Sequence, residues 1–133
     1  MREIEFRGKY HTWSKDKRTW MYGYYDGNHI VSKDGESRCV DIVCQYTGQT
    51  DVKGTKIFEG DVVSVSYYGC NPMTGVVKYS KRLAGYIVVF SMLDDGTTSK
   101  TGLHQGDSHR VLGNIFDDAL YKGTLWQAYF LEE

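Results

Sequence analysis

The side chains able to do acid–base or metal chemistry are present but scattered. Histidines stand at His11, His29, His104 and His109, and no His-Glu-x-x-His spacing places two imidazoles and a carboxylate on one helix face. The closest pair, His104 and His109, brackets Gly106, Asp107 and Ser108. Two imidazoles with Asp107 would suit a divalent metal or a proton relay, since imidazole titrates near neutrality. The same residues also compose an ordinary polar loop, and that reading is preferred. Cysteines at 39, 44 and 70 are odd in number and lack paired ligand spacing, against both a secreted disulfide framework and a zinc knuckle. Cys70, in Tyr68-Gly69-Cys70-Asn71-Pro72, has no cation beside it in sequence to activate the thiol. Cys39 and Cys44 flank an apolar strand pattern and read as core. Asp94-Asp95-Gly96 offers paired carboxylates, but a hairpin turn accounts for them. There is no Ser-His-Asp order, phosphate-binding loop or dinucleotide fingerprint. The expectation is a chain with no catalytic residue, no metal, no cofactor and no small-molecule substrate, hence not an enzyme.

Binding chemistry is better represented. Lys78, Tyr79, Lys81, Arg82 and Tyr86 place cations beside tyrosines, the local ingredients of a nucleic-acid surface; a solvated hairpin end with charges guarding a sheet edge is the competing reading. Sixteen Lys and Arg against seventeen Asp and Glu give a net charge of −1, so no global field draws the protein to nucleic acid or an anionic membrane. Trp20, Tyr22 and Tyr24 would share one face of a strand, with Met21, Gly23 and Tyr25 on the other. The three-ring face reads as the core of a small sheet, leaving the Met21 face wetter; exposed, it would stack bases or anchor a protein partner. Trp126, Tyr129, Phe130 and Leu131 supply hydrophobic anchors suited to self-association.

The elements that must carry these residues are strands. Nineteen aromatic residues, fifteen Gly and one Pro favour short strands joined by tight turns. Ile4 and Phe6 alternate with Glu3, Glu5 and Arg7, the pattern of a strand with one wet face. Asp26-Gly27 predicts a type I′ hairpin turn, with positive φ at both residues, and Asp34-Gly35 a second reversal. Five strands are expected at 61–68, 75–79, 86–92, 98–103 and 110–115. The architecture that follows is all-β, with two small β subdomains: an antiparallel sheet over residues 1–45 and an SH3-like small barrel over 61–116. A turn-rich connector, 46–60, joins them, and 117–133 is an extension whose apolar run 125–131 leans to strand. The charged start Met1-Arg2-Glu3 and the lack of ~20 consecutive apolar residues predict a cytoplasmic protein without a membrane span.

The run Gln45-Tyr46-Thr47-Gly48, then Lys53-Gly54, then Glu59-Gly60-Asp61 resembles the central signature of the YopX-like proteins of phages and prophages. There a "QYTG" turn, a lysine-glycine loop and an "EGD" strand entry occur in this order. The amino-terminal Arg2-Glu3-Ile4-Glu5-Phe6-Arg7-Gly8-Lys9 and the element Val111-Leu112-Gly113-Asn114-Ile115-Phe116 extend the likeness. The chain departs from the pattern in its Tyr67-Tyr68 pair and aromatic tail. The resemblance implies a phage or prophage accessory protein in a bacterial host and supplies no catalytic residue. Gln45, Tyr46, Gly48, Gly54, Glu59, Gly60 and Asp61 therefore read as a structural signature. The expected role is a non-enzymatic protein-interaction or self-assembling module, partnered by another protein or by its own copies. Nucleic-acid binding through the hairpin near Lys78 and Tyr86 is the alternative.

Overall fold

The structure, a computed structural model, describes residues 4–11, 18–66, 72–92, 98–103, 108–117, 125 and 129–130. Eleven strands lie among them: β1 (Phe6–His11), β2 (Arg18–Tyr25), β3 (His29–Val31), β4 (Ser37–Cys39), β5 (Ile42–Thr50), β6 (Lys56–Phe58), β7 (Asp61–Ser66), β8 (Met73–Ser80), β9 (Gly85–Met92), β10 (Thr98–Gly102) and β11 (Ser108–Asn114). They build two antiparallel sheets, in the orders β4-β3-β2-β1-β5-β6 and β10-β9-β8-β7-β11. The all-β expectation holds. The chain divides into two compact units, Met1–Gly48 and Gln49–Glu133.

In the first unit the register pairs Arg7 with Tyr22 and Lys9 with Trp20, while Phe6 opposes Gly23 and Gly8 opposes Met21. Paired residues share a face, so the burial of each face can be followed. Met21 is only 9 % exposed, whereas Tyr22 and Tyr24 are 47 % and 66 % exposed. This reverses the expected orientation of β2. The cause is at Gly8, where an added Cβ would lie 2.5 Å from side-chain atoms of both Ile30 and Val40. The β3–β4 ribbon curls over that face, and Ile30 is fully buried there. The opposite face is open at Tyr22 and Tyr24 but closed at Arg7, expected to be wet, and at Lys9, each 5 % exposed. Their cations lie 4.6 and 5.3 Å from the centre of the Trp20 ring, so aliphatic stems and cation–π attraction let them leave bulk water.

The β2–β3 reversal is not the type I′ turn predicted. Positive φ occurs at Gly27 alone, +106°, and not at Asp26. Asp26 instead holds the turn with its side chain, Oδ1 accepting from the N–H groups of Asn28 at 2.9 Å and His29 at 2.7 Å, an Asx turn. Two backbone hydrogen bonds, Ser32 to Glu36 and Gly35 to Ser32, close the second reversal.

The second unit explains why β7, β8 and β9 read as almost unbroken apolar runs. Val63, Val65, Val77, Val88 and Phe90 join Ile57 and Leu103 on one face. Val62, Val76, Ile87 and Val89 join Ile115 on the other, with Phe116, Leu125 and Tyr129 packed over them. A sheet buried on both faces has no polar alternation to display. The five expected strands of this half correspond to β7 through β11, with β6 in addition. Leu125, Tyr129 and Phe130 have helical backbone, which corrects the leaning to strand at these positions. Leu125 and Tyr129 both pack against the second face of the sheet.

Gly23 is the tightest approach in the first unit. A Cβ there would run into the backbone carbonyl of Val31, an obstacle no rotamer change can move. Gly23→Ala should therefore lower stability by about 1–3 kcal/mol, checked as an earlier urea midpoint at unchanged slope.

Candidate functional site

The signature residues are engaged in holding the second unit together. Asp51, which opens the turn between β5 and β6, is 7 % exposed. Its Oδ1 accepts from the N–H of Lys53 and of Thr55, each at 2.9 Å, and its Oδ2 accepts from the N–H of Val111, sixty residues away on β11, at 2.9 Å. Val52 N–H then donates to the His109 carbonyl at 3.0 Å. The turn thus occupies the outer edge of β11, a row of backbone groups that would otherwise offer a template for unwanted pairing. Burial alone would raise the Asp51 pKa, but the N–H groups of Val111, Thr55 and Lys53 outweigh it and hold the carboxyl below its ordinary value of 3.8.

The entry to β7 is built the same way. Gly60 takes φ +88°, its N–H donates to the Val77 carbonyl and its carbonyl accepts from Ile115 N–H. Asp61, 2 % exposed, accepts from Phe58 N–H at 2.8 Å. Tyr46, 5 % exposed, lies within β5, so the "QYTG" element is strand rather than turn, with Gly48 at φ +88° inside it. Gly54, at φ +84°, sits in the 51–55 turn. Gln45 pairs with Phe6 on β1.

The basic-aromatic hairpin is only partly free. Tyr79 and Tyr86 oppose each other across β8 and β9, their rings edge-to-face at 5.2 Å. Lys81 and Arg82 are exposed in the turn, where Ser80 Oγ accepts from Leu83 N–H and Ala84 adopts φ +54°. Lys78, however, is close enough for its charge to act on Glu59, and its Nζ lies 5.8 Å from the centre of the Tyr129 ring. Burial pushes the Glu59 carboxyl above its ordinary 4.5, against the opposing pull of Tyr79 N–H, the Lys78 charge and the Tyr129 hydroxyl. Tyr129 also packs edge-to-face on Phe116 at 5.8 Å and on Phe130 at 4.9 Å. Of the tail anchors Tyr129 serves the core and Phe130 is 53 % exposed; Trp126 and Leu131 lie outside the described residues, as do Cys70, His104, Asp107 and the 94–96 turn.

A concave surface forms in the first unit, where β2 ends and β3 turns. The groove, about 950 Å³, is lined by Ile4, Glu5, Tyr22, Gly23, Tyr24, Asp26, Val31, Ser32, Lys33 and Asp34. Ile4 is 72 % exposed, so the groove presents an aliphatic and two aromatic side chains together. Gly23 lets the Val31 backbone close down on β2, which shapes the floor.

With the two sheets and their turns described, the family can be assigned: the YopX protein family matches residues 5–120. The chain belongs to the YopX family. No curated protein matches it. In this YopX chain the match spans both units and the whole signature, and ends before Leu125 and Tyr129, the residues that pack over the second face of the sheet.

Two features were missed by reading the sequence. Asp51 carried a signal, because an acidic residue followed by Val-Lys-Gly-Thr suits a side-chain-held turn, but its bond to Val111 has no local trace. Arg7 and Lys9 gave none, since alternating charge in a strand normally marks a wet face.

Replacing Asp51 by Ala strands N–H groups in a buried turn and should cost about 1–3 kcal/mol at neutral pH. Because the folded carboxyl titrates below 3.8, its contribution is complete above that value and disappears as pH falls through the lower folded value. Urea titrations at stepped pH should show the gap between wild type and Asp51→Ala narrowing only in that acid window; a constant gap would contradict the assignment.

Proposed function

We propose that this YopX chain is a non-enzymatic accessory protein that binds another protein through the Tyr22–Tyr24 groove of its first unit. The carrying observation is the exposure of both tyrosines, 47 % and 66 %, beside Ile4 in one concavity. Aromatic side chains give large contact area at low conformational cost and are enriched in interface cores. The setting implied by the family resemblance is a bacterial cytoplasm carrying phage or prophage. No helix among the described residues is long and apolar enough to cross a membrane. Self-association through the tail has weaker support, since Tyr129 is committed to the core and Phe130 is the exposed anchor among the described residues.

Panning a random peptide display library on the immobilised full chain tests the groove. Enriched clones should lose about tenfold or more in affinity for a Tyr22→Ser, Tyr24→Ser double variant, while circular dichroism shows the fold unchanged. Equal binding to both proteins, or no enrichment, removes the groove from consideration.

The alternative, nucleic-acid binding, is favoured by the exposure of Lys81 and Arg82 next to Tyr79. Two cations support only weak, salt-sensitive binding. A mobility shift of labelled single- or double-stranded DNA or RNA at low salt that disappears in Lys81→Ala, Arg82→Ala would establish this reading, and no shift would end it.

A further inference from the structure

The groove in the first unit carries a charge imbalance that narrows what it can bind. Its lining holds three carboxylates, Glu5, Asp26 and Asp34, against one ammonium, Lys33, although the chain as a whole has a net charge of only −1. Among the described residues, Arg7 and Lys9, which pair with Tyr22 and Trp20, are buried against Trp20. Asp26 spends Oδ1 on its own turn, and its Oδ2 stands 3.6 Å from His29 Nδ1, a contact with both side chains about two-fifths exposed. The turn N–H groups, foremost that of Asn28, hold Asp26 below its ordinary pKa of 3.8, so it keeps its negative charge through the neutral range. Asp34 is exposed at the rim, in the turn closed by Gly35.

The Tyr22 and Tyr24 side chains line the same groove as these carboxylates. Ring faces bordered by carboxylates attract a cation doubly, through the ring quadrupole and through direct charge. Ile4 and Val31, at the same surface, add apolar area that a small inorganic cation would not use. On this basis, which rests on the protein-binding reading above, we propose that the groove takes an extended polypeptide segment of a partner in which an arginine or lysine and an aliphatic residue stand two positions apart. The cationic side chain lies against the tyrosine rings with its head toward Asp34 and Glu5, and the aliphatic residue two positions along covers Ile4 and Val31. The two-residue spacing matters because successive side chains of an extended peptide point to opposite sides, so every second residue enters the groove.

The probe is a synthetic peptide repeating arginine-serine-leucine-serine, with controls in which every arginine is replaced by serine or by glutamate, titrated into the full chain while tyrosine ring signals are followed by NMR. The arginine peptide should shift the Tyr22 and Tyr24 signals, and the controls should bind at least about tenfold more weakly. Asp34→Lys, a change at an exposed turn position, should weaken the arginine peptide about tenfold and favour the glutamate peptide, while leaving the spectrum of the free protein otherwise intact. Added salt should weaken the arginine complex. Equal binding of all three peptides, lost together in Tyr22→Ser, Tyr24→Ser, would overturn the cationic specificity and leave the protein-binding reading standing. Tyrosine-dependent display clones without basic residues would do the same. Absence of any tyrosine-dependent binder, peptide or clone, would overturn both.

Discussion

The second unit depends on one carboxylate being surrounded by backbone donors. Asp51 fastens its own turn and, through Val111, the strand that arrives sixty residues later. A side chain that accepts from three N–H groups sacrifices its hydration only if all three are in place. The geometry of the turn, the position of β11 and the occupation of its outer edge are therefore set together. Gly60 repeats the logic with backbone alone, linking β8 on one side and the residue after β11 on the other. The family signature is a device for fixing where β7 lies between β8 and β11.

That arrangement gives the buried carboxylates of the signature a structural task. Asp51 and Asp61 are acidic and buried, the pattern by which functional carboxylates are often found. Both are instead consumed by backbone N–H groups, and Asp51 is driven toward its charged form rather than toward a proton-donating one. Glu59 is the exception, pushed the other way by burial and steadied by Lys78 and Tyr129. This triad draws a residue of the basic hairpin and a residue of the aromatic tail into one structural contact, and so takes a member from each of two surfaces that looked available for binding.

Legibility from sequence followed the range of the interaction. The strands of the second unit were readable because β7, β8 and β9 are apolar on both faces, and the turns because Gly and Asp mark them locally. The faces of β2 were not readable. Which side of a strand is covered depends on what curls over it, and nothing near residues 20–25 announces that Ile30 and Val40 will sit against Gly8. The inversion of that expectation is what brings Tyr22 and Tyr24 to the surface. The helical backbone at Leu125 and Tyr129 was similarly hidden, because a continuous apolar run has no period until one knows the surface it meets. In the second sheet, ordered β10-β9-β8-β7-β11, the last strand returns beside the first, a long-range pairing that no local residue announces.

The two-sided burial of the five-stranded sheet also has a bearing on synthesis. A ribosome delivers β7 through β10 as a local meander, yet one of its faces stays bare until Ile115, Phe116, Leu125 and Tyr129 emerge. A nascent or prematurely terminated chain would carry that valine-rich surface uncovered, in the form that chaperones and proteases recognise. Late arrival of the covering residues thus leaves the valine-rich face unsheltered from water until Tyr129 has been made.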